Sequence, residues 1–179
     1  MTTCSHIVLM AEYNAWMNTK LYQAARSLPA QELAAQRKAF FGSIIGTLNH
    51  LVVADIIWLQ RFAAHPARHS ALELINQLPA PTALDAVLLA DIEALFSQRQ
   101  MLDETIKQWA AQLTEDDLLE VLHYRNMKGV AAAKRFSSML MHFFNHQTHH
   151  RGQVSTLLFQ AGVDIGVTDL LALIADEDH

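Results

Sequence analysis

Arg135-Phe-Ser-Ser-Met139-Leu-Met-His142-Phe143-Phe-Asn145-His146-Gln-Thr-His149-His150-Arg151-Gly152-Gln153-Val154-Ser-Thr156-Leu157-Leu-Phe-Gln-Ala161 runs without a proline, and its apolar residues recur at the spacing of an α-helix. It closes at Gly162, the residue type that helices place just past their C-termini. At 100° per residue, Met139, Phe143, His146, His150, Val154, Leu157 and Ala161 fall in one narrow arc, so two imidazoles stand in the stripe that must face a core. His142 and His149 fall beside Asn145, Gly152 and Thr156 on the flank.

Three further long patterns precede this one. The first spans about 5–26, with Ser5 as its expected N-cap, and Leu28-Pro29 breaks it. After a short helical turn over 30–36, the second spans about 43–62 and stops before His65-Pro66; it is apolar on most sides. A loop holding Pro66, Pro79 and Pro81 leads to the third, over about 82–113, through Leu84, Leu88, Ile92, Leu95, Leu102, Ile106 and Trp109. Thr114-Glu-Asp-Asp117 reads as a capped turn. Loose alternation over 119–125 ahead of Asn126-Met-Lys-Gly129 predicts a small hairpin or ordered loop, and the tail to Leu173 is expected to pack back. Long helices with few glycines fit an all-α, antiparallel four-helix bundle in a single domain, 1–179.

Composition agrees. The chain has 179 residues, 51% hydrophobic and 17% charged, with 6 Gly and 4 Pro, too apolar for disorder and too unbroken for an all-β fold. A formal charge of −5 with scattered basic residues argues against nucleic acid as a partner. The longest apolar candidate for a membrane span is interrupted by His50, Asp55, Gln60 and Arg61, so no membrane span is expected. One cysteine, Cys4, forms no intrachain disulfide, and the start Met-Thr-Thr-Cys-Ser-His lacks a basic signal region; a cytoplasmic home is expected.

A single histidine on an apolar face is usually a hydrogen-bonded core residue, but two on one stripe change the balance, because unpartnered buried imidazoles are costly. His146 and His150 are one turn apart, with Cβ atoms roughly 5–6 Å from each other, close enough to share one ion. The candidate third ligand is His50, at the centre of the second helix. Near it lie Ser43, Gly46, Thr47 and Ala54, small residues that either leave a void in front of His50 or permit close helix approach. Asn14 and Asn18 point where aliphatic residues belong, and either line the same pocket or satisfy backbone groups and each other. Asp55 and Asp91 could orient an imidazole, with ion pairing to Arg61 or Arg99 as the default. Arg151 reads as a residue pairing across the bundle surface, and spacing assigns no role to Gln153. Three neutral nitrogen ligands leave positions open on a divalent transition ion (Zn, Ni, Fe or Mn), which can activate bound water or a thiolate. No nucleophile is named by motif: His-Glu-x-x-His, Gly-x-Ser-x-Gly and phosphate-cradling glycine loops are absent, and Cys4 has no basic partner.

Two segments, Asn49-His50-Leu-Val-Val-Ala-Asp55-Ile-Ile-Trp58 and Asn145-His146-Gln-Thr-His149-His150-Arg151-Gly152-Gln153, resemble the signatures of DinB-like proteins of the DinB/YfiT superfamily. Tyr13-Asn14-Ala15-Trp16 and Gly166-Val-Thr-Asp-Leu-Leu171 extend the likeness over nearly the whole chain. The resemblance implies a four-helix bundle, often a homodimer, with a divalent metal on His50, His146 and His150. It also implies kinship with thiol-dependent S-transferases and a mycothiol-dependent isomerase, in a family where many members have no assigned reaction. Two functions follow as expectations: a metal-dependent transferase or hydrolase using a low-molecular-weight thiol, or a non-catalytic, metal-stabilised binding or stress-response protein. The loops over 66–81 and 119–134 are expected to shape the pocket.

Overall fold

In a computed structural model that describes residues 2–176, the chain is mostly helical, with one small antiparallel sheet. The long helices are α1 (Thr3–Ala25), α3 (Ile44–Phe62), α4 (Ile92–Ala110) and α5 (Phe136–Gln160); α2 (Ala30–Ala34) is a short turn between the first two. Strands β1 (Val121–Arg125) and β2 (Ala131–Arg135) form the expected hairpin, pairing Val121 with Arg135 and Arg125 with Ala131. Helix α1 packs on α4 and α5, and α3 packs on the same two, so all four long helices enclose one core. No helix among the described residues is long and apolar enough to cross a membrane.

The helix ends follow local chemistry. Thr2, rather than Ser5, caps α1, its hydroxyl accepting from the Ser5 N–H, so the helix begins ahead of the first residue of its apolar stripe, Ile7. Ser43 caps α3 by accepting from Gly46 N–H at 3.1 Å, and α5 ends at Gly162, whose φ of +84° is the left-handed conformation a C′ glycine supplies. Thr114 and Asp117 cap one another, with the Thr114 N–H and hydroxyl both donating to Asp117 Oδ2 at 2.8 Å. The tail packs back on α1: Tyr13 donates its hydroxyl proton to the Thr168 carbonyl and Lys20 reaches the Val167 carbonyl.

The third long helix is ten residues shorter at its start than the pattern predicts. Asp91, not a residue near 82, is its N-cap, accepting from Ala94 N–H at 2.8 Å. The segment before it is an irregular run of turns and bends pinned by Asn49, whose amide accepts from Leu89 N–H at 3.0 Å and donates to Leu89 O at 2.9 Å. A buried side-chain amide thus replaces the helical partners of that stretch, and Leu84 and Leu88, expected in the core, are 48% and 41% exposed.

Between the long helices lies a buried polar network. Asp55 on α3 accepts from Arg99 Nη1 on α4 at 2.5 Å, and Arg99 Nη2 lies 2.9 Å from Asp103 Oδ1. Asp103 Oδ1 also accepts from Asn14 and Asn18 on α1, at 3.1 and 2.8 Å. Arg151 on α5 donates to Asn14 Oδ1 and rests against the Tyr13 ring. Asn14 and Asn18 therefore serve a carboxylate rather than the histidine pocket, and Arg151 pairs inside the fold, not across its surface. Burial opposes the charges of this cluster, pushing Asp55 up to about 6 and Arg151 down to about 10; the two carboxylates hold Arg99 above its ordinary value despite its desolvation.

Arg99→Met preserves bulk but leaves two buried carboxylates facing each other. It is expected to lower the unfolding free energy by about 3–5 kcal/mol, against less than about 0.5 kcal/mol for Lys134→Met on the exposed hairpin. Urea unfolding of the two variants measures the difference, and equal midpoints would remove the network from the account of stability.

Candidate functional site

Helices α3 and α5 bring His50, His146 and His150 together. His50 Nε2 lies 3.3 Å from His146 Nε2 and 3.2 Å from His150 Nε2. The remaining nitrogens settle the tautomers of two rings. His50 Nδ1 is 2.8 Å from the Leu84 carbonyl, which only accepts, so Nδ1 carries the proton and Nε2 presents a lone pair. His150 Nδ1 donates to Gln153 Oε1 at 2.8 Å, and the Gln153 amide nitrogen faces His149, so His150 Nε2 presents a lone pair as well.

Burial lowers all three pKa values. His50 falls to about 4 and His146 to about 3, with the neighbouring imidazoles adding to the effect, and His150 also falls. Neutral rings with converging lone pairs repel one another unless a cation lies among them. Two nitrogens held 2.0–2.1 Å from one ion at a near-tetrahedral angle stand roughly 3.3 Å apart, and the separations seen here match that value. The triad could hold a metal ion, and the chemistry of its donors fits one.

The surroundings fix the rings and leave one side open. Phe41 stacks on His50 with ring centroids 3.7 Å apart. Gly46 makes this possible: a Cβ there would lie 2.3 Å from the Phe41 carbonyl oxygen. Of the small residues near His50, Ser43 is a cap, Thr47 bonds back to Ser43, and Gly46 admits Phe41; Ala54 alone faces a cavity. That cavity, about 380 Å³, is bounded by His50, His146, Ala54, Ile57, Trp58, Arg61 and Leu84, with Asn126, Met127 and Lys128 closing it from the hairpin turn. Arg61 lies over the rings of Trp58 and Tyr124, and no carboxylate pairs with it among the described residues. His142, expected on the flank, is exposed yet reaches the rim, its ring 5.1 Å from Trp58.

Some expectations are corrected here. Asp55 takes its default role, pairing with Arg99, and neither it nor Asp91, which caps α4 instead of pairing with an arginine, orients an imidazole. The imidazole partners are Leu84 and Gln153 instead. The hairpin borders the pocket as expected, whereas the 66–81 loop lines a separate cavity next to His65 and His69. Leu84 escaped notice because its carbonyl, not its side chain, does the work, and Phe41 lies in a turn with no periodic signal.

A family model described as "DinB family" matches residues 1–178. The chain is 29% identical over 158 residues to "Protein DinB" of Bacillus subtilis (strain 168), covering 88% of this chain and 87% of that protein. No solved structure matches it.

Because the folded pKa values of His50 and His146 lie below the unfolded value, the folded state binds fewer protons at these rings. Their contribution to stability is present above pH 6.5 and is lost as pH falls towards about 4. Chelator-treated protein is therefore expected to lose stability across that window, and His50→Gln/His146→Gln to lose less. The comparison matters because Asp55, with its raised pKa, works in the opposite sense. Identical pH profiles in urea unfolding would refute the assignment.

Proposed function

The chain belongs to the DinB family, and from that premise we propose that it is a metal-dependent enzyme in which His50, His146 and His150 hold a divalent transition ion, Zn, Ni, Fe or Mn. The observation that carries this reading is the convergence of three imidazole Nε2 atoms, at 3.2 and 3.3 Å from His50, beside a cavity. We read the frame as an antiparallel four-helix bundle forming one cytoplasmic domain. The apolar groove between α1 and α5, lined by Ile7, Met10, Leu140, Met141 and Phe144, supports a homodimer.

The reaction proposed is transfer of a low-molecular-weight thiol to an electrophile, or the related hydrolysis. His50, His146 and His150 would hold the ion, which when bound would supply the acidity that turns a thiol or water into a nucleophile. The protein's own groups supply the rest. The Leu84 carbonyl and Gln153 keep His50 and His150 in the ligating tautomer. Ile57 and Trp58 offer an apolar wall, and Arg61, stacked and without a carboxylate partner among the described residues, is placed to bind an anionic group of the substrate. His142, at the rim and outside the ligand set, is positioned to accept the proton released by the thiol.

Elemental mass spectrometry of tag-free protein is expected to find at least one transition ion per chain, with the content falling by one in His50→Ala. Cobalt-substituted protein is expected to change its visible absorption on adding mercaptoacetate, and Arg61→Met to weaken that response about tenfold while keeping the metal. Full metal content in both His50→Ala and His150→Ala would overturn the site. A cobalt spectrum indifferent to thiols would leave a metal-stabilised binding protein.

A further inference from the structure

At the other end of α3, a second group of ligand-type side chains is gathered by segments distant in sequence. His65 follows the end of α3, His69 precedes the 3₁₀ turn Ser70–Gln77, and Asp117 opens the 3₁₀ turn before β1. Each offers a donor atom, and the three donors lie within 4.8 Å of one another. The His69 side chain is 5% exposed, and its Nε2 is buried without a hydrogen-bond partner among the described residues, 3.8 Å from Asp117 Oδ2. A buried nitrogen left this way is costly unless something occupies the space it faces.

The backbone supports the convergence. Arg68, between the two histidines, has φ +46°, a left-handed conformation that a long side chain adopts only under local constraint. It turns the chain so that the His65 and His69 rings stack, with centroids 5.4 Å apart. Asp117 is held in place by the two donations from Thr114. A cavity of about 570 Å³ borders both histidines, giving an entry path and room for water ligands.

We propose that His65, His69 and Asp117 form a second metal site, separate from the three-histidine centre, that binds a divalent transition ion such as zinc. Two imidazoles and a carboxylate favour such an ion over calcium or magnesium, which prefer all-oxygen shells. His65 Nδ1 accepts from Ala67 N–H at 3.2 Å, so the ring proton sits on Nε2, 3.3 Å from the Asp117 carbonyl. Ligation through Nε2 shifts that proton to Nδ1 and gives up the Ala67 contact. The ion would clamp the end of α3 to the turn preceding β1, and thereby brace the hairpin whose Asn126–Lys128 turn borders the other cavity.

The test is cobalt titration of chelator-stripped full-length protein, read by bound stoichiometry and visible absorption. Wild type is expected to take up two ions per chain, and His50→Ala and His69→Gln one each, with the loss in His69→Gln confined to this site. Asp117→Asn, which retains an oxygen acceptor for Thr114, serves as the second variant if His69→Gln folds poorly. In a His50→Ala/His150→Ala background, zinc is expected to raise Tm, and additional His69→Gln to abolish the rise. Uptake of a single ion that His50→Ala abolishes and both His69→Gln and Asp117→Asn retain would overturn the second site and leave the first intact. Loss of uptake in His69→Gln but not in His50→Ala would do the reverse.

Discussion

Asp55, Arg99, Asp103 and Arg151, joined through Asn14 and Asn18, reach every long helix of this protein from its buried interior. Two carboxylates and two guanidinium groups cancel in charge. Their energetic value lies less in net stability than in specificity, since desolvating four ions consumes most of what their attraction returns. An aliphatic core tolerates small rotations of a helix about its axis, because one methyl contact substitutes for another. A guanidinium with a defined set of acceptors does not.

That constraint has direct consequences for the histidines. Asp55 lies five residues beyond His50 on α3, and Arg151 is next to His150 on α5. Fixing Asp55 against Arg99 and Arg151 against Asn14 sets the rotation of both helices, so that His50 faces His146 and His150 across a gap of about 3.3 Å. A rotation of α5 by a few tens of degrees would carry Nε2 several ångströms away and dissolve the triad. The apolar core supplies the cohesion, and the ionic network supplies the register in which the donor atoms meet.

Much of this was legible in the residues. The α5 stripe, the hairpin and the Gly162 terminus follow from periodicity and cap chemistry, which are local, and His50 from the need of two histidines on α5 for a third ligand on another helix. What escaped the sequence was non-local or carried by backbone atoms. The stretch before Asp91 has helical spacing of leucines, yet Asn49 captures its backbone, and nothing in a periodic pattern announces a competing amide forty residues away. Asn14 and Asn18 were visibly out of place on an apolar face, but their partner, Asp103, could be assigned only once α1 and α4 were seen side by side. His65 and His69 carry no helical signal because a left-handed Arg68 joins them.

The same geometry bears on how folding and ligand binding are connected. Without a cation, the folded chain brings lone pairs of neutral imidazoles against one another, held there by Leu84, Gln153 and the stacked Phe41. The repulsion is an internal cost borne by the packing of α3 against α5, and a bound ion converts it into attraction. Metal affinity in such a site is set less by the three ligands alone than by how rigidly their surroundings prevent the rings from turning apart. Leu84 belongs to the loop before α4 and Gln153 to α5, so the orientation of the triad rests on backbone and side chain from two separate segments. A group that presses on Leu84 from within the cavity would act on the triad through the Nδ1 hydrogen bond of His50.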